Sequence, residues 1–426
     1  MRPSDLAGQR VLVLGVGIDV AAALSTVVAA GPADLVVVDE APTRAAATLA
    51  HLGLDAVPVF TTLAEAPPAD VALRSPGFSP YQPSVQERIE RGMGTVTPLG
   101  LWLCERGDRP SVAITGTKGK SSTSVLAQVA LEHLGAPAVV LGNIGVPPWS
   151  QPPECPEVAV LEVSSYQAAD LPLTAPVAAI TAIGEDHVGW HGSLERYLAD
   201  KARVFSAPTP GAHRWCGAPD GMALPAAFDG IDFARIPVPP GDLRGSNAAM
   251  AAAVALAAVG GPAEDLPALV EHLLAHYPDL PGRFSTVATI AALEFIDDAL
   301  ASNPLGLAAA LRSLSGRPVT VIVGGADRGA SIEPVLAALA DRAERGVSTL
   351  VLCIDDAEAI VARYGSSGVA AEPAGDVEAA VAVAAARTEA GGAVLLSPGM
   401  PTPAPQGGWS DRSSRFRAAV DHHRHP

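Results

Sequence analysis

Charge is scarce in this chain, and positive charge is scarcest. Only 17% of the 426 residues are Asp, Glu, Lys or Arg, and 28 cations face 45 acids for a formal net charge of −17. Nucleic acids and anionic membranes select basic faces, so this balance excludes both as general partners; an acidic ligand must be met by local positive features. Cysteine is sparse too. Cys104, Cys155, Cys216 and Cys353 show neither a CxxC pair nor Cys/His metal spacing, which argues against a disulfide framework and for core residues in a reducing cytosol. Residues 1–10 lack an apolar signal core, and no apolar run reaches the ~20 residues that span a bilayer. The expectation is a cytoplasmic chain without membrane insertion. Hydrophobic residues reach 49%, enough to bury large cores, and a length prior of ~150 residues per domain gives about three domains.

What is present begins with Ile114-Thr-Gly-Thr-Lys-Gly-Lys-Ser-Ser122. The β-branched run from Val112 to Thr115 reads as a buried strand, and the Ala/Leu/Val-rich stretch after Lys120 as a helix. Between them, Gly116, Thr117, Lys118 and Gly119 form a short phosphate cradle: glycines admit backbone N–H groups to phosphates, the helix N-terminus adds positive potential, Lys120 neutralises, and Ser121 and Ser122 supply hydroxyls, that of Ser121 for Mg²⁺. The usual loop holds four residues between its glycines; here there are only Thr117 and Lys118.

Upstream, Val11–Leu14, Gly15-Val16-Gly17, an Ala-rich helix and a strand Leu35–Val38 ending at Asp39 read as the opening of a nucleotide-binding α/β unit. Val20 stands where the dinucleotide fingerprint places its third small residue, which points to a degenerate or different nucleotide site. Val71–Leu73 predicts another strand, with Arg74-Ser75-Pro76-Gly77 turning at the same edge.

Downstream, Gly142-Asn143-Ile144-Gly145 follows a short strand. Val158–Val163 predicts a buried strand containing Glu162, a carboxylate that is costly to bury unless paired or metal-bound, and Mg²⁺ beside a phosphate loop is its natural partner. Ala178–Ile183 predicts a strand leading to Glu185-Asp186-His187, at the edge where α/β sheets bind ligands. Lys201, in an amphipathic helix over Leu194–Phe205, reads on its own as a solvated lysine. Arg244-Gly-Ser-Asn247 opens an Ala-rich helix through Val259, and Pro281-Gly-Arg-Phe284 reads as a hinge. Strands at Leu293–Ile296, Val319–Val323, Leu350–Ile354 and Ala393–Leu396 alternate with helices and predict a second parallel, doubly wound sheet; the His-rich tail from Asp421 reads as frayed.

Together Gly116–Ser121, Gly142–Gly145, Leu161-Glu-Val-Ser-Ser-Tyr-Gln167, Glu185-Asp-His187, Lys201, Asn247 and Pro281–Phe284 resemble the Mur ligase family, most closely its glutamate-adding, MurD-like branch. The resemblance runs over essentially the whole chain, weakest at the N-terminus. It implies an α/β chain of three domains: a Rossmann-like domain (1–97) for the UDP end of the substrate, through Gly15, Gly17, Asp39, Ser75 and Gly77; a central ATP-binding domain with a mainly parallel sheet (98–283); and a doubly wound C-terminal domain (284–426) for the amino acid. By similarity, Lys120 touches the β/γ-phosphates, Ser121 and Glu162 hold one Mg²⁺, and His187 and a carbamylated Lys201 help place a second. Asn247, Arg283 and Asp298 match positions contacting ATP, Asn143 lies near the reacting groups, and Ser397 and Thr402 flank the amino-acid pocket.

The implied reaction is cytoplasmic: ATP activates the carboxylate of UDP-N-acetylmuramoyl-L-alanine as an acyl phosphate, and glutamate attacks to form an amide, ADP and phosphate. A monomer is expected. Departures fall in the last domain, where Asp297-Asp-Ala-Leu-Ala-Ser-Asn303 lacks the family's hydroxyl and ammonium at 299 and 300. A glutamate's carboxylates then need another cation, and Arg328 after Gly324-Gly325 is the candidate. Lys118 and Gly324–Gly329 resemble the branch that adds L-glutamate and relies on a separate epimerase. L-glutamate is therefore the expected substrate and D-glutamate the alternative. A folylpolyglutamate-synthase-like ligase shares the ATP core but not the N-terminal unit, and a non-catalytic nucleotide binder would make the metal residues incidental.

Overall fold

The computed structural model describes residues 1–171, 175–205, 213–217, 224–229, 231–236, 242–327, 329–365, 367–403 and 407–424. The chain divides into two compact units, Met1–Val238 with Asn247–His276, and Pro239–Ser246 with Tyr277–Pro426.

The first unit contains two parallel sheets. In the N-terminal one, β1 (Arg10–Leu14), β2 (Asp34–Val38), β3 (Val59–Phe60), β4 (Val71–Arg74) and β5 (Gly94–Val96) lie in the order β3-β2-β1-β4-β5. Sheets covered on both faces need apolar side chains pointing both ways. Accordingly Val11 and Val13 pack with Val20, Leu24 and Val27 of the helix Ile18–Ala29, while Leu12 and Leu14 pack with Leu63, Val85 and Met93 on the other face. The helix Pro98–Arg106 straddles the two sheets: Leu101 joins the first core, and Leu99, Trp102 and Leu103 join the second.

The second sheet is built from β6 (Ser111–Thr115), β7 (Ala138–Gly142), β8 (Val158–Glu162), β9 (Val177–Ile180), β10 (His213–Cys216) and β11 (Ala234–Arg235), in the order β11-β10-β9-β6-β8-β7. β9 stops at Ile180, short of the strand expected through Ile183. The chain leaves the sheet there because Thr181 Oγ1 donates to the Lys118 carbonyl at 2.5 Å and Thr117 N donates to Ala182 O at 2.7 Å, folding this segment over the phosphate loop. The helix expected over Leu194–Phe205 is α-helical over Leu194–Ala202 and tightens to a 3₁₀ turn at Arg203–Phe205.

In the second unit, β12 (Ser285–Ile290), β13 (Leu293–Asp297), β14 (Val319–Gly324), β15 (Thr349–Cys353), β16 (Ala370–Pro373) and β17 (Ala393–Gly399) are ordered β12-β13-β17-β14-β15-β16. This sheet is mixed rather than wholly parallel, because β12 runs antiparallel to β13. Its hairpin turns on Ala291 and Ala292 at φ 47° and 65°, where Asn-Gly or Asp-Gly is usual. The tail is also more ordered than expected, since the helix Trp409–Arg424 continues through the histidines at 422 and 423 and buries Phe416 and Val420.

In each sheet the strand order reverses beside one inner strand: β1 lies between β2 and β4, β6 between β8 and β9, and β14 between β15 and β17. Ligands of open α/β sheets bind at the carboxyl ends of strands at such a switch. Gly15-Val16-Gly17, Gly116–Gly119 and Gly324-Gly325 follow these three strands.

Candidate active site

The loop after β6 owes its shape to two glycines. Gly116 has φ +142°, and a Cβ there would lie 2.2 Å from Thr181 Oγ1; Gly119 has φ +87°, and its Cβ would lie 2.8 Å from Asn247 Oδ1. Neither conformation nor space admits a side chain. Between them Thr117 is locked, its hydroxyl 2.9 Å from the Tyr197 hydroxyl and 3.1 Å from the Gly184 carbonyl. The helix Lys120–His133 starts directly at the loop, with Ser121 and Ser122 buried. Asn247, on the Ala-rich helix Leu243–Val259, accepts from Thr123 Oγ1 at 3.3 Å and so packs against the same loop.

Two lysines converge on one carbonyl. Lys120 Nζ and Lys201 Nζ each donate to Gly116 O at 2.9 Å. Lys201 is 2% exposed, which corrects the solvated reading its sequence position gave. Burial first, then Lys120, holds its pKa well below that of an ordinary lysine, with Asp186 opposing. The neutral amine is thereby favoured, and with it nucleophilic character. His187, at φ 52°, places Nδ1 2.9 Å from the Tyr166 hydroxyl. Burial lowers its pKa, Asp186 opposes, and Lys201, Lys120 and Lys118 lower it further. Both basic groups are biased toward forms with a free lone pair.

Glu162 ends β8, in register with Ile114 of β6, and is 1% exposed. Its Oε1 accepts from Asn143 Nδ2 at 2.7 Å, whereas Oε2 is enclosed without a partner among the described residues. Asn143 is aimed there because its backbone N–H donates to Glu162 O at 2.9 Å. An orphaned carboxylate oxygen one strand from a phosphate loop fits a hard cation completed by phosphate and water. No cluster of three His, Cys, Asp or Glu with metal-holding geometry occurs among the described residues. The residues whose chemistry fits Mg²⁺ are Glu162 with the Ser121 hydroxyl and, separately, His187 with Lys201.

The five N-terminal positions expected at the substrate come together. Gly15, Gly17, Asp39, Ser75 and Gly77 line one cavity of about 500 Å³ at the end of β1. Asp39 is held by the backbone: its oxygens accept from Val16 N and Ala41 N, both at 2.8 Å, which shapes the cavity wall. Of two arginines in this region, Arg44 escaped the sequence reading and Arg74 figured there only as part of a turn. Arg44 stands on the rim 3.8 Å from Asp39. Arg74, fully buried, pairs with Asp170 at 2.7 Å and donates to Tyr166 O at 2.7 Å, tying the Ser75 turn to the segment after Glu162.

In the second unit, Asp298 accepts from Ser397 Oγ at 2.8 Å, bringing the ends of β13 and β17 together. Asp297, which the motif reading passed over, is fully buried and accepts from Gly282 N at 3.0 Å, Ser413 Oγ at 2.6 Å and Arg417 Nε at 2.8 Å. It thus fixes the turn that carries Arg283. Ala326 N donates to Pro401 O at 2.8 Å, joining the loop after β14 to the half-buried segment containing Thr402. Arg328 lies outside the described residues. The neighbouring Asp327 pairs with Arg363 at 2.9 Å.

Comparison with known proteins gives these observations a context. A family model described as the Mur ligase middle domain matches residues 114–214, and one described as the Mur ligase, glutamate ligase domain matches 282–400. A UDP-N-acetylmuramoyl-L-alanine–L-glutamate ligase from a Micromonospora species is 34% identical over 99% of this chain and 98% of its own length. A UDP-N-acetylmuramoylalanine–D-glutamate ligase from Rubrobacter xylanophilus is 32% identical over 82% of this chain and 83% of its own. Among solved structures, the UDP-N-acetylmuramate–alanine ligase of Thermotoga maritima matches 97% of this chain and 100% of its own at a TM-score of 0.55; at 17% identity that likeness concerns the fold alone.

Proposed function

The chain belongs to the Mur ligase family, and from that premise we propose that it joins glutamate to UDP-N-acetylmuramoyl-L-alanine, consuming ATP, in peptidoglycan precursor synthesis. The observation that carries this reading is the edge of the central sheet. There, two lysines share the Gly116 carbonyl within a glycine loop, one strand from a buried carboxylate oxygen that lacks a partner among the described residues.

A carboxylate is a poor acyl donor, and transfer of the γ-phosphoryl group converts it to an acyl phosphate that an amine can attack. The loop N–H groups and Lys120 cradle the phosphates, and Asn247 packs on the loop where ATP would seat; Arg283 and Asp298 match positions that contact ATP in the family. Glu162 and Ser121 would hold one Mg²⁺, and His187 with Lys201 a second; such cations would supply positive charge against the phosphates. Lys201 serves there as a carbamate: its neutral amine adds CO₂, forming an N–C bond and releasing one proton, which turns a buried base into an anionic ligand. The suppressed ammonium form of Lys201 supports this. Asn143, bonded to Glu162, faces the reacting groups.

The N-terminal cavity takes the UDP end of the substrate, and Ser397, Thr402 and Arg328 take the amino acid. The domains run 1–97, 98–283 and 284–426, and the reaction is cytoplasmic. L-glutamate is the proposed amino acid, supported by the L-specific relative that matches the chain end to end. The test is ADP release by purified protein given UDP-N-acetylmuramoyl-L-alanine, ATP, Mg²⁺ and either glutamate isomer. Turnover with L-glutamate above D-glutamate is expected. The reverse preference rejects the stereochemistry, and no turnover with either rejects the substrate.

A further inference from the structure

Behind the phosphate loop lies a second buried network. Asp200 immediately precedes Lys201 and is 2% exposed. Its two oxygens accept from the Tyr81 hydroxyl at 2.6 and 2.7 Å, and Oδ2 lies 2.7 Å from His191 Nδ1. His191 Nε2 lies 3.0 Å from Ser165 Oγ. A Ser-His-Asp series at these distances has the outline of a hydrolytic triad. Ser165 and His191 are 2% and 0% exposed, however, so no substrate reaches the hydroxyl. What such a network does is fix its members in place.

Tyr81 belongs to the loop from Ser75 to Gln82, which lines the 500 Å³ cavity through Ser75, Gly77, Phe78 and Gln82. The same loop is bonded a second time to the segment after His187: Trp190 Nε1 donates to Gly77 O at 2.9 Å, and Ser79 Oγ donates to Trp190 O at 3.0 Å. Trp190 stacks on Tyr166 with ring centroids 4.3 Å apart, and the Tyr166 hydroxyl meets His187 Nδ1. One contiguous path therefore runs from the cavity wall through Tyr81 and Asp200 to the helix turn of Lys201, and another through Trp190 and Tyr166 to His187.

We propose that Asp200 and Trp190 are positioning residues through which a nucleoside diphosphate seated in the N-terminal cavity sets the placement of Lys201 and His187. This rests on the substrate reading above. A substrate that fills the cavity restrains the Ser75–Gln82 loop, and the loop's bonds restrain the lysine and the histidine. Catalytic placement then follows correct occupation of a remote site, the use of remote binding energy that favours turnover over bare affinity.

The test uses the whole chain, with uridine diphosphate as the probe and no ATP or glutamate. In wild type, uridine diphosphate should slow amide hydrogen exchange across residues 188–202. In Tyr81→Phe and Trp190→Phe, each lacking one bond of the path, that protection should fall at least threefold while affinity for uridine diphosphate stays within about threefold. In steady state, Tyr81→Phe and Asp200→Asn should lose about tenfold in kcat, a loss typical of slight misplacement, with KM for ATP unchanged. Binding without protection of 188–202 in wild type overturns the proposal alone, as does a folded Tyr81→Phe with full protection and wild-type kcat. Failure of uridine diphosphate to bind wild type overturns both this proposal and the reading of the cavity.

Discussion

Replacing Glu162 by Gln should make the protein more stable and less active at once. In the metal-free chain this side chain is 1% exposed, with one oxygen on Asn143 and the other without a partner. An uncompensated buried ion costs several kcal/mol, whereas an unpaired neutral amide N–H costs about 1–3 kcal/mol. Gln keeps the shape and can still accept from Asn143, so the difference should appear as a gain of roughly 1–3 kcal/mol in EDTA, a few degrees in Tm for a chain of this size. With Mg²⁺ and a non-hydrolysable ATP analogue the order should invert. Wild type gains about 2.7 kcal/mol at a hundredfold excess over Kd, and the variant gains little. Ligation should fall by a factor of ~10² or more, the scale for losing one preorganised electrostatic contact. Differential scanning fluorimetry and ADP release measure both sides. A Glu162→Gln protein less stable than wild type in EDTA, or one that Mg²⁺-nucleotide still stabilises fully, would refute the assignment of the orphan oxygen to a cation.

Lys120→Ala should retain its circular dichroism spectrum and lose phosphate release by ~10² or more, since a charge facing the phosphates is removed; activity within about threefold of wild type would remove the loop from the chemistry. Lys201→Ala should be inactive and partly recover with a short carboxylic acid that replaces the carbamate, and wild-type turnover without the acid would leave Lys201 a packing residue. Asp19 gives a pH test in the helix after the Gly15–Gly17 turn. Burial raises its pKa while the bond from Gln167 opposes. A raised carboxyl favours the protonated folded state, so its penalty is absent well below the ordinary carboxylate range and complete above the raised value. Asp19→Asn should accordingly have a higher Tm than wild type at pH 7 and lose that advantage toward pH 3; equal gaps at both pH values would contradict the burial argument.

The parts of the fold that showed in the sequence were those governed by local rules. β6 and the loop after it were readable because a β-branched run, two glycines and a lysine before a helix are each local and mutually consistent. β12 was not readable, because its hairpin turns on Ala291 and Ala292, which carry no turn signal; only pairing along β13 holds them at positive φ. The early end of β9 was invisible for a similar reason. Its continuation is apolar enough to be a strand, but Thr181 and Ala182 are claimed by the phosphate loop far away in sequence.

Lys201 marks the same limit for the site. Its heptad neighbours describe an amphipathic surface helix, and nothing local distinguishes a buried lysine from a solvated one; only the family resemblance gave it a role. The structure shows it buried at the Gly116 carbonyl beside Lys120. The buried bonds of Arg74 and Asp200 could not be read because a buried ion looks like a surface ion until its partner is known, and their partners, Asp170 and Tyr81, lie 96 and 119 residues away. The proposed glutamate pocket belongs to this class as well. With Leu300 where the resemblance places the family's ammonium, the proposed pocket calls for a cation from another strand end. Arg363, already paired with Asp327 beside the loop after β14, shows how such a charge reaches that edge from the helix Ala357–Tyr364 without any motif to announce it.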